Sequence, residues 1–303
     1  MAHHRFAQVD VFSEQPFRGN PVAVILDADD LTTGQMQRIA RWTNLSETTF
    51  ILSPPAGAAG TADYRVRIFT PGGELPFAGH PTLGSAHAWL EAGGTPRRAG
   101  VVVQECAAGL VDVQHDPGAA APLSFTAPPT TRSGPLSDGD LARVCTALRI
   151  DRCAVVAHQW VVNGPQWAAV QLADARDVLA LTPDFSTDGD LGDLGDLGDL
   201  CDIGVFGFYD RAAPDRPADM EIRGFTPSDG TGEDPVTGSL NASVGQWLVR
   251  TGVVREPYTA AQGTVLQRTG RVRVTPTGDG NVRVGGATTT LFHGTAEIPA
   301  GRP

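Results

Sequence analysis

The chain has 303 residues, 41% of them hydrophobic and 19% charged, with a formal net charge of −11. Those proportions describe a globular protein able to bury cores, at a length that suits one large domain or two ordinary ones. An acidic balance with 23 scattered Lys and Arg residues excludes a nucleic-acid partner. No apolar run reaches the roughly 20 residues of a membrane span, and Met1 to Val9 is too polar for a signal-peptide core, which points to a soluble cytoplasmic protein.

Taken in order, Phe6 to Phe12 alternates and is β-rich, Gln15 to Asn20 is a turn region, and Val22 to Leu26 is a continuous apolar strand. Thr32, with Gln35 three residues on, predicts a capping box that opens a helix ending before Asn44. Glu47 then sits on a short connection before a strand over Thr48 to Leu52. A strand over Tyr64 to Phe69 leads into a Gly/Pro turn and an apolar helix over Leu83 to Leu90. Further strands are predicted at Val101 to Glu105, Leu110 to Gln114 and Leu123 to Thr126. Pro128 to Ser137, rich in Pro, Thr, Ser and Gly, reads as a linker between halves 1–127 and 128–303, with the last strand free to return to the first half.

Beyond it, Asp138 to Leu148 is helix-like, and Val155 to Val162 with Trp167 to Leu172 predicts a hairpin across Asn163-Gly164-Pro165. Gly189 to Leu200 is four copies of Gly-Asp-Leu, read as a surface excursion rather than a calcium loop because it lacks a rigid turn set. Strands resume at Ile203 to Tyr209 and Met220 to Phe225, followed by an apolar helix over Leu240 to Val249. Gly278-Asp279-Gly280-Asn281 is a hairpin signal between Arg271 to Thr275 and Val282 to Val284. Cys106, Cys145, Cys153 and Cys201 show no paired spacing and read as reduced, packed thiols. No metal set is expected, His3 and His4 included.

One structural phrase occurs twice. Phe69-Thr70-Pro71, then Glu74-Leu75-Pro76-Phe77-Ala78-Gly79-His80, is matched by Phe225-Thr226-Pro227, then Glu233-Asp234-Pro235-Val236-Thr237-Gly238-Ser239. Each copy joins a strand to an apolar helix, so each offers backbone N–H groups and the positive end of a helix dipole to an anion. Both helices lack a polar face and must be buried, each within a curled sheet. The expected fold is therefore α+β, with two pseudo-symmetric halves, each a mostly antiparallel sheet wrapped around a central apolar helix. Two such loops facing each other would make one interdomain site.

Four residues stand out as candidates for chemistry: Glu47, His80, Asp234 and Ser239. A turn carboxylate partly desolvated at Glu47 suits proton transfer, though an exposed turn residue would look the same. His80 fits either a hydrogen-bonding role beside a ligand or a helix cap. Asp234 and Ser239 flank a turn where capping alone would place them. Gly79 and Gly238 let a ligand approach the backbone. Glu74 and Glu233, at matching positions, read as loop-bracing carboxylates.

These segments, with Asp10-Val11-Phe12, Pro16-Phe17-Arg18-Gly19-Asn20-Pro21 and Asn44-Leu45-Ser46-Glu47-Thr48, resemble the PhzF-like family of phenazine-biosynthesis isomerases over nearly the whole chain. The resemblance implies the diaminopimelate epimerase-like fold, a homodimer, and a proton shift on a small carboxylated substrate without metal or cofactor. It implies that Glu47 is the acid/base glutamate, that His80, Asp234 and Ser239 surround the substrate, and that Asn20 is a substrate contact. Related racemases use two opposed cysteines, but Gly79 and Gly238 stand about where those thiols would be. An amino-acid racemase using other groups, or a binding protein without turnover, are the competing expectations.

Overall fold

The structure, a computed structural model, describes residues 2–54, 61–119, 121–185, 202–227 and 232–299. The Gly-Asp-Leu repeat and Cys201 lie outside the described residues. In chain order the elements are β1 (Ala2–Val11), β2 (Asn20–Ile25), α1 (Thr33–Thr43), β3 (Glu47–Leu52), β4 (Tyr64–Phe69), β5 (Glu74–Leu75), α2 (Gly79–Glu91), β6 (Val101–Cys106), β7 (Gly109–His115) and β8 (Leu123–Thr126). There follow α3 (Asp138–Leu148), β9 (Val155–Val162), β10 (Gln166–Leu172), α4 (Ala175–Ala180), β11 (Asp202–Phe208), β12 (Met220–Thr226), β13 (Gly232–Asp234), α5 (Gly238–Arg250), β14 (Tyr258–Gln262), β15 (Gly270–Pro276), β16 (Val282–Gly286) and β17 (Thr288–Ile298). The chain divides into two compact units, residues 1–126 with 284–303, and residues 127–283.

The two units repeat one pairing scheme. In the first, β1 and β2 are antiparallel, β2 and β3 parallel, β3 and β4 antiparallel. Strand β4 then takes β5 antiparallel at one end and β6 parallel at the other, and β6 turns back into β7. In the second, β9 through β15 follow the same succession of senses, with β12 in the place of β4. Parallel neighbours need a crossover, and helices supply it. Helix α1 joins β2 to β3 as α4 joins β10 to β11; α2 completes the β4–β6 crossover as α5 completes β12–β14. Strand β17, for which the sequence gives little beyond a returning strand, pairs with β1 along its whole length.

Each sheet has a helix on both faces. In the first unit α2 touches β17, β1, β2, β3, β6, β7 and β8, strands from one edge of the sheet to the other, so the sheet is curled around the helix. Thr82, Leu83, Gly84, Ser85 and Ala86 are all fully buried. The approach is close: a Cβ on Gly84 would lie 2.3 Å from Val22 Cγ1 and 3.2 Å from Val11 Cγ2. In the second unit α5 lies likewise against β9 and β15, and a Cβ on Gly204 of β11 would stand 2.3 Å from Leu240 Cδ1.

The outer faces carry the amphipathic helices. Met36 and Ala40 of α1 pack on Ile25, Phe50 and Phe69. Leu141, Val144 and Leu148 of α3, with Val178 of α4, pack on Ala168, Val170, Val205 and Phe225. Burying a side chain of this size stabilises by about 1.5–3 kcal/mol.

Both central helices begin earlier than the apolar runs suggest, at Gly79 and Gly238 rather than Leu83 and Leu240. Pro81 does not prevent this, because in the first turn its missing N–H has no intrahelical partner to lose. The cap of α2 is Ala78, so His80 lies within the helix and does not cap it.

Candidate active site

In the first unit three polar side chains converge. Asn44, in the left-handed conformation with φ 53°, ends α1 and turns the chain so that Glu47 opens β3 opposite Val22. Asn20 opens β2 after a turn held by Asp10, whose Oδ2 accepts from the Arg18 and Gly19 amides, each at 3.0 Å. His80 is the second residue of α2 and is almost wholly buried. Its Nε2 lies 3.4 Å from Glu47 Oε2, and its Nδ1 lies 3.4 Å from Asn20 Nδ2.

Burial is the dominant influence on His80, pushing its pKa down to about 3 against the opposing effect of a hydrogen bond to the Pro21 backbone. The imidazole is therefore neutral near pH 7, and its 3.4 Å approach to Glu47 is a close polar contact and not an ion pair. A neutral ring carries one N–H and one lone pair, so it can orient a carboxyl group without holding charge of its own.

In the second unit the matching loop is differently furnished. Thr237 Oγ1 donates to Asp234 Oδ2 at 2.6 Å, a charge-assisted length. Trp167 Nε1 donates to Ser239 Oγ at 3.1 Å, which leaves the serine proton available to donate elsewhere. Thr237 and Gly238 are buried, whereas Asp234 and Ser239 remain partly exposed. Thr237 is three residues from Asp234, in the turn where capping places such residues, whereas Trp167 lies on β10, distant in the chain from its partner and unmarked by sequence spacing.

The two central helices differ from the others in their N-termini. Helices α1, α3 and α4 are capped by the side chains of Thr32, Ser137 and Asp174. Among the described residues, neither α2 nor α5 has a side-chain cap bond. The first-turn amides of both helices thus keep the positive end of the dipole for a ligand.

The bracing role read for Glu74 and Glu233 is present in both copies. Arg67 holds Glu74 through Nε and Nη2 at 2.7 and 2.5 Å, and Arg223 holds Glu233 at 2.9 and 2.7 Å. Each guanidinium also lies over the phenylalanine two residues on, Phe69 at 5.1 Å and Phe225 at 4.9 Å.

Cys106, Cys145 and Cys153 are free thiols on β6, on α3 and in the turn before β9, none of them a member of either loop. Among the described residues no group of His, Cys, Asp and Glu is placed to hold a metal ion, and no helix is long and apolar enough to cross a membrane.

One sheet-wrapped helix in each of two units with the same strand pairing defines a protein of the diaminopimelate epimerase-like fold. The chain belongs to the phenazine biosynthesis-like protein family, whose model matches residues 9–294. It is 38% identical to antisense-enhancing sequence 1 of Schizosaccharomyces pombe, over 98% of this chain and all of that protein. It is 33% identical to the trans-2,3-dihydro-3-hydroxyanthranilate isomerase of Pseudomonas fluorescens, over 88% of this chain and 87% of the relative. Among solved structures, the PhzF-family phenazine biosynthesis protein of Bacillus anthracis superposes with a TM-score of 0.81 at 22% identity, covering 98% of this chain and all of its own.

Proposed function

We propose that the protein is an isomerase that moves a proton on a small carboxylated, cyclic or unsaturated metabolite, with Glu47 as the acid and base and with no cofactor. The observation that carries this reading is the approach of a neutral, buried imidazole to within 3.4 Å of the Glu47 carboxyl. The relative named as an isomerase of trans-2,3-dihydro-3-hydroxyanthranilate supports the reaction class. In the proposed step the Glu47 carboxylate takes a proton from a substrate carbon. The C–H electron pair spreads into the adjoining unsaturation, and the protonated Glu47, whose carboxyl proton exchanges with solvent, delivers a proton to another carbon on that face. No atom is gained or lost.

The charge that develops needs fixed donors, and a preorganised donor is typically worth a factor of about 10²–10³ in rate. The uncapped first turns of α2 and α5 are suited to supply them through Gly79, His80, Gly238 and Ser239. Asp234 and Ser239 would hold the substrate, and Asn20 and His80 would fix its orientation. The reading includes a homodimer acting on free metabolite, with neither nucleic acid nor membrane as partner.

The test is turnover of trans-2,3-dihydro-3-hydroxyanthranilate, then of a panel of unsaturated cyclic carboxylates and free amino acids, in deuterium oxide. Glu47→Gln should abolish both product formation and deuterium exchange. An undiminished rate in that variant would remove Glu47 from the role. Exchange at the α-carbon of amino acids alone would make the protein a racemase, and binding without exchange would make it a carrier.

A further inference from the structure

Gln262, the last residue of β14, is fully buried, and its side-chain amide is saturated by the loop that bears Asp234. Its Oε1 accepts from Thr237 N and from Asn241 Nδ2, both at 2.9 Å. Its Nε2 donates to Asp234 O at 3.2 Å and to Thr237 Oγ1 at 2.8 Å. A primary amide has two lone pairs and two protons, so nothing is left over. Its orientation is fixed by chemistry, because a backbone N–H can only donate and a backbone carbonyl can only accept.

That orientation dictates the next one. Thr237 Oγ1 receives a proton from Gln262, so its own proton points to Asp234 Oδ2, at 2.6 Å. The first unit holds a partial counterpart: the buried Gln104 of β6 donates to Thr82 Oγ1 at 3.0 Å and accepts from Tyr64 Oη. Thr82 and Asn241 are each the fourth residue of their helices. Gln104 faces Tyr64 across the parallel ladder, whereas Gln262 faces Ile222, two residues nearer the loop than Met220, the match of Tyr64. The extra pleat lets Gln262 reach the helix cap and Asp234 itself.

We propose that Gln262 is a positioning residue, which turns the Thr237 hydroxyl onto the Asp234 carboxylate and fixes the entrance of α5 so that Gly238 and Ser239 present their amides to a bound carboxylate. The proposal rests on the isomerase reading for its catalytic consequence. Its structural consequence stands without that reading.

The experiment compares Gln262→Met, Thr237→Val and the double variant in the full-length protein. Hydrogen exchange in segment 232–242 should accelerate by about tenfold or more in Gln262→Met, since the four hydrogen bonds of the buried Gln262 amide are lost, while segment 79–91 stays within about twofold. With trans-2,3-dihydro-3-hydroxyanthranilate as probe, kcat should fall about tenfold with KM little changed, and the double variant should be no worse than the poorer single one. Unchanged exchange in 232–242, an equal rise in both segments, or an additive loss of rate would overturn the proposal. Should Gln262→Met not fold, Thr237→Ser must keep the rate that Thr237→Val loses; equal rates would count against the hydroxyl relay. If Glu47→Gln turns over normally while the exchange signature appears, the isomerase reading fails and the brace stands. An inactive Glu47→Gln beside a parent-like Gln262→Met would sink the brace alone.

Discussion

Ser85 Oγ donates a hydrogen bond to Thr49 Oγ1 at 2.9 Å, between two side chains that are both fully buried. Ser85 lies five residues after His80 on α2, and Thr49 lies two residues after Glu47 on β3, so this bond sets the helix against the strand that together present the candidate dyad. Thr49 in turn reaches Ala23 O of β2 at 3.4 Å. Thr49→Val leaves the Ser85 hydroxyl facing a methyl group and is expected to cost about 1–3 kcal/mol, the penalty of an unsatisfied buried polar group. Ser85→Ala leaves Thr49 its carbonyl partner and should cost about 1 kcal/mol. Urea unfolding of the two variants checks the order, and a larger loss in Ser85→Ala would contradict it.

His80 makes stability depend on pH in a defined window. Its folded pKa, about 3, lies below the ordinary histidine value near 6.5, so between those values the unfolded chain binds more protons than the folded one. The stabilising contribution is then complete above about pH 6.5 and is lost as pH falls toward 3, at up to about 1.4 kcal/mol per pH unit. His80→Gln should flatten this part of the profile. Chemical denaturation of parent and variant between pH 4 and 7 measures the difference, and parallel profiles would show that His80 is not held neutral.

The duplicated braces differ in depth, and the difference should be measurable. The Arg223 and Glu233 side chains are 4% and 12% exposed, against 18% and 34% for Arg67 and Glu74. Removing one partner of a buried pair strands the other charge, at about 3–5 kcal/mol, whereas exposed pairs contribute about 1 kcal/mol or less. Arg223→Met is therefore expected to destabilise markedly more than Arg67→Met. Arg223 also donates to the carbonyls of Val178 and Leu181 at the end of α4, which its replacement would leave without that donor. Equal melting temperatures for the two variants would refute the ranking.

Much of this architecture was legible because it is local. The strand, the Gly/Pro turn and the apolar run are each written in consecutive residues, and writing them twice exposes the repeat. Glu74 and Glu233 were readable as braces from their matched positions alone. Their partners Arg67 and Arg223 were equally matched, each two residues before a paired phenylalanine, and that signal was available. The helix entrances at Gly79 and Gly238 were readable from the matched glycines, although the apolar runs begin only at Leu83 and Leu240; Gly79-His80-Pro81 has the composition of a turn, and the tolerance of the first helical turn for proline reconciles it with α2. Trp167 and Gln262 were out of reach for a different reason. Their hydrogen bonds join segments far apart in the chain, and no periodicity in β10 or β14 distinguishes a residue that props a loop from one that fills a core.

The seating of α2 on its sheet supplies the last expectation. Gly84 is buried where a Cβ would fall 2.3 Å from Val22 Cγ1, far inside contact distance. Valine is stiff about χ1 and Val22 is fully buried, so the neighbour has nowhere to swing. Gly84→Ala must push the helix outward, costing about 1–3 kcal/mol as overpacked cores do, and it carries His80 away from Glu47 as it does so. Helix propensity alone would predict the opposite sign, since alanine in place of a helical glycine gains up to about 1 kcal/mol. Gly73→Ala, with nothing within 4 Å of the added atom, serves as the control and should change stability by no more than about 0.5 kcal/mol. Adding Val22→Ala to Gly84→Ala opens the space the new methyl needs, so the double variant should be more stable than the sum of the two single losses allows. A Gly84→Ala protein as stable as the parent would mean that the helix is not packed this tightly against β2.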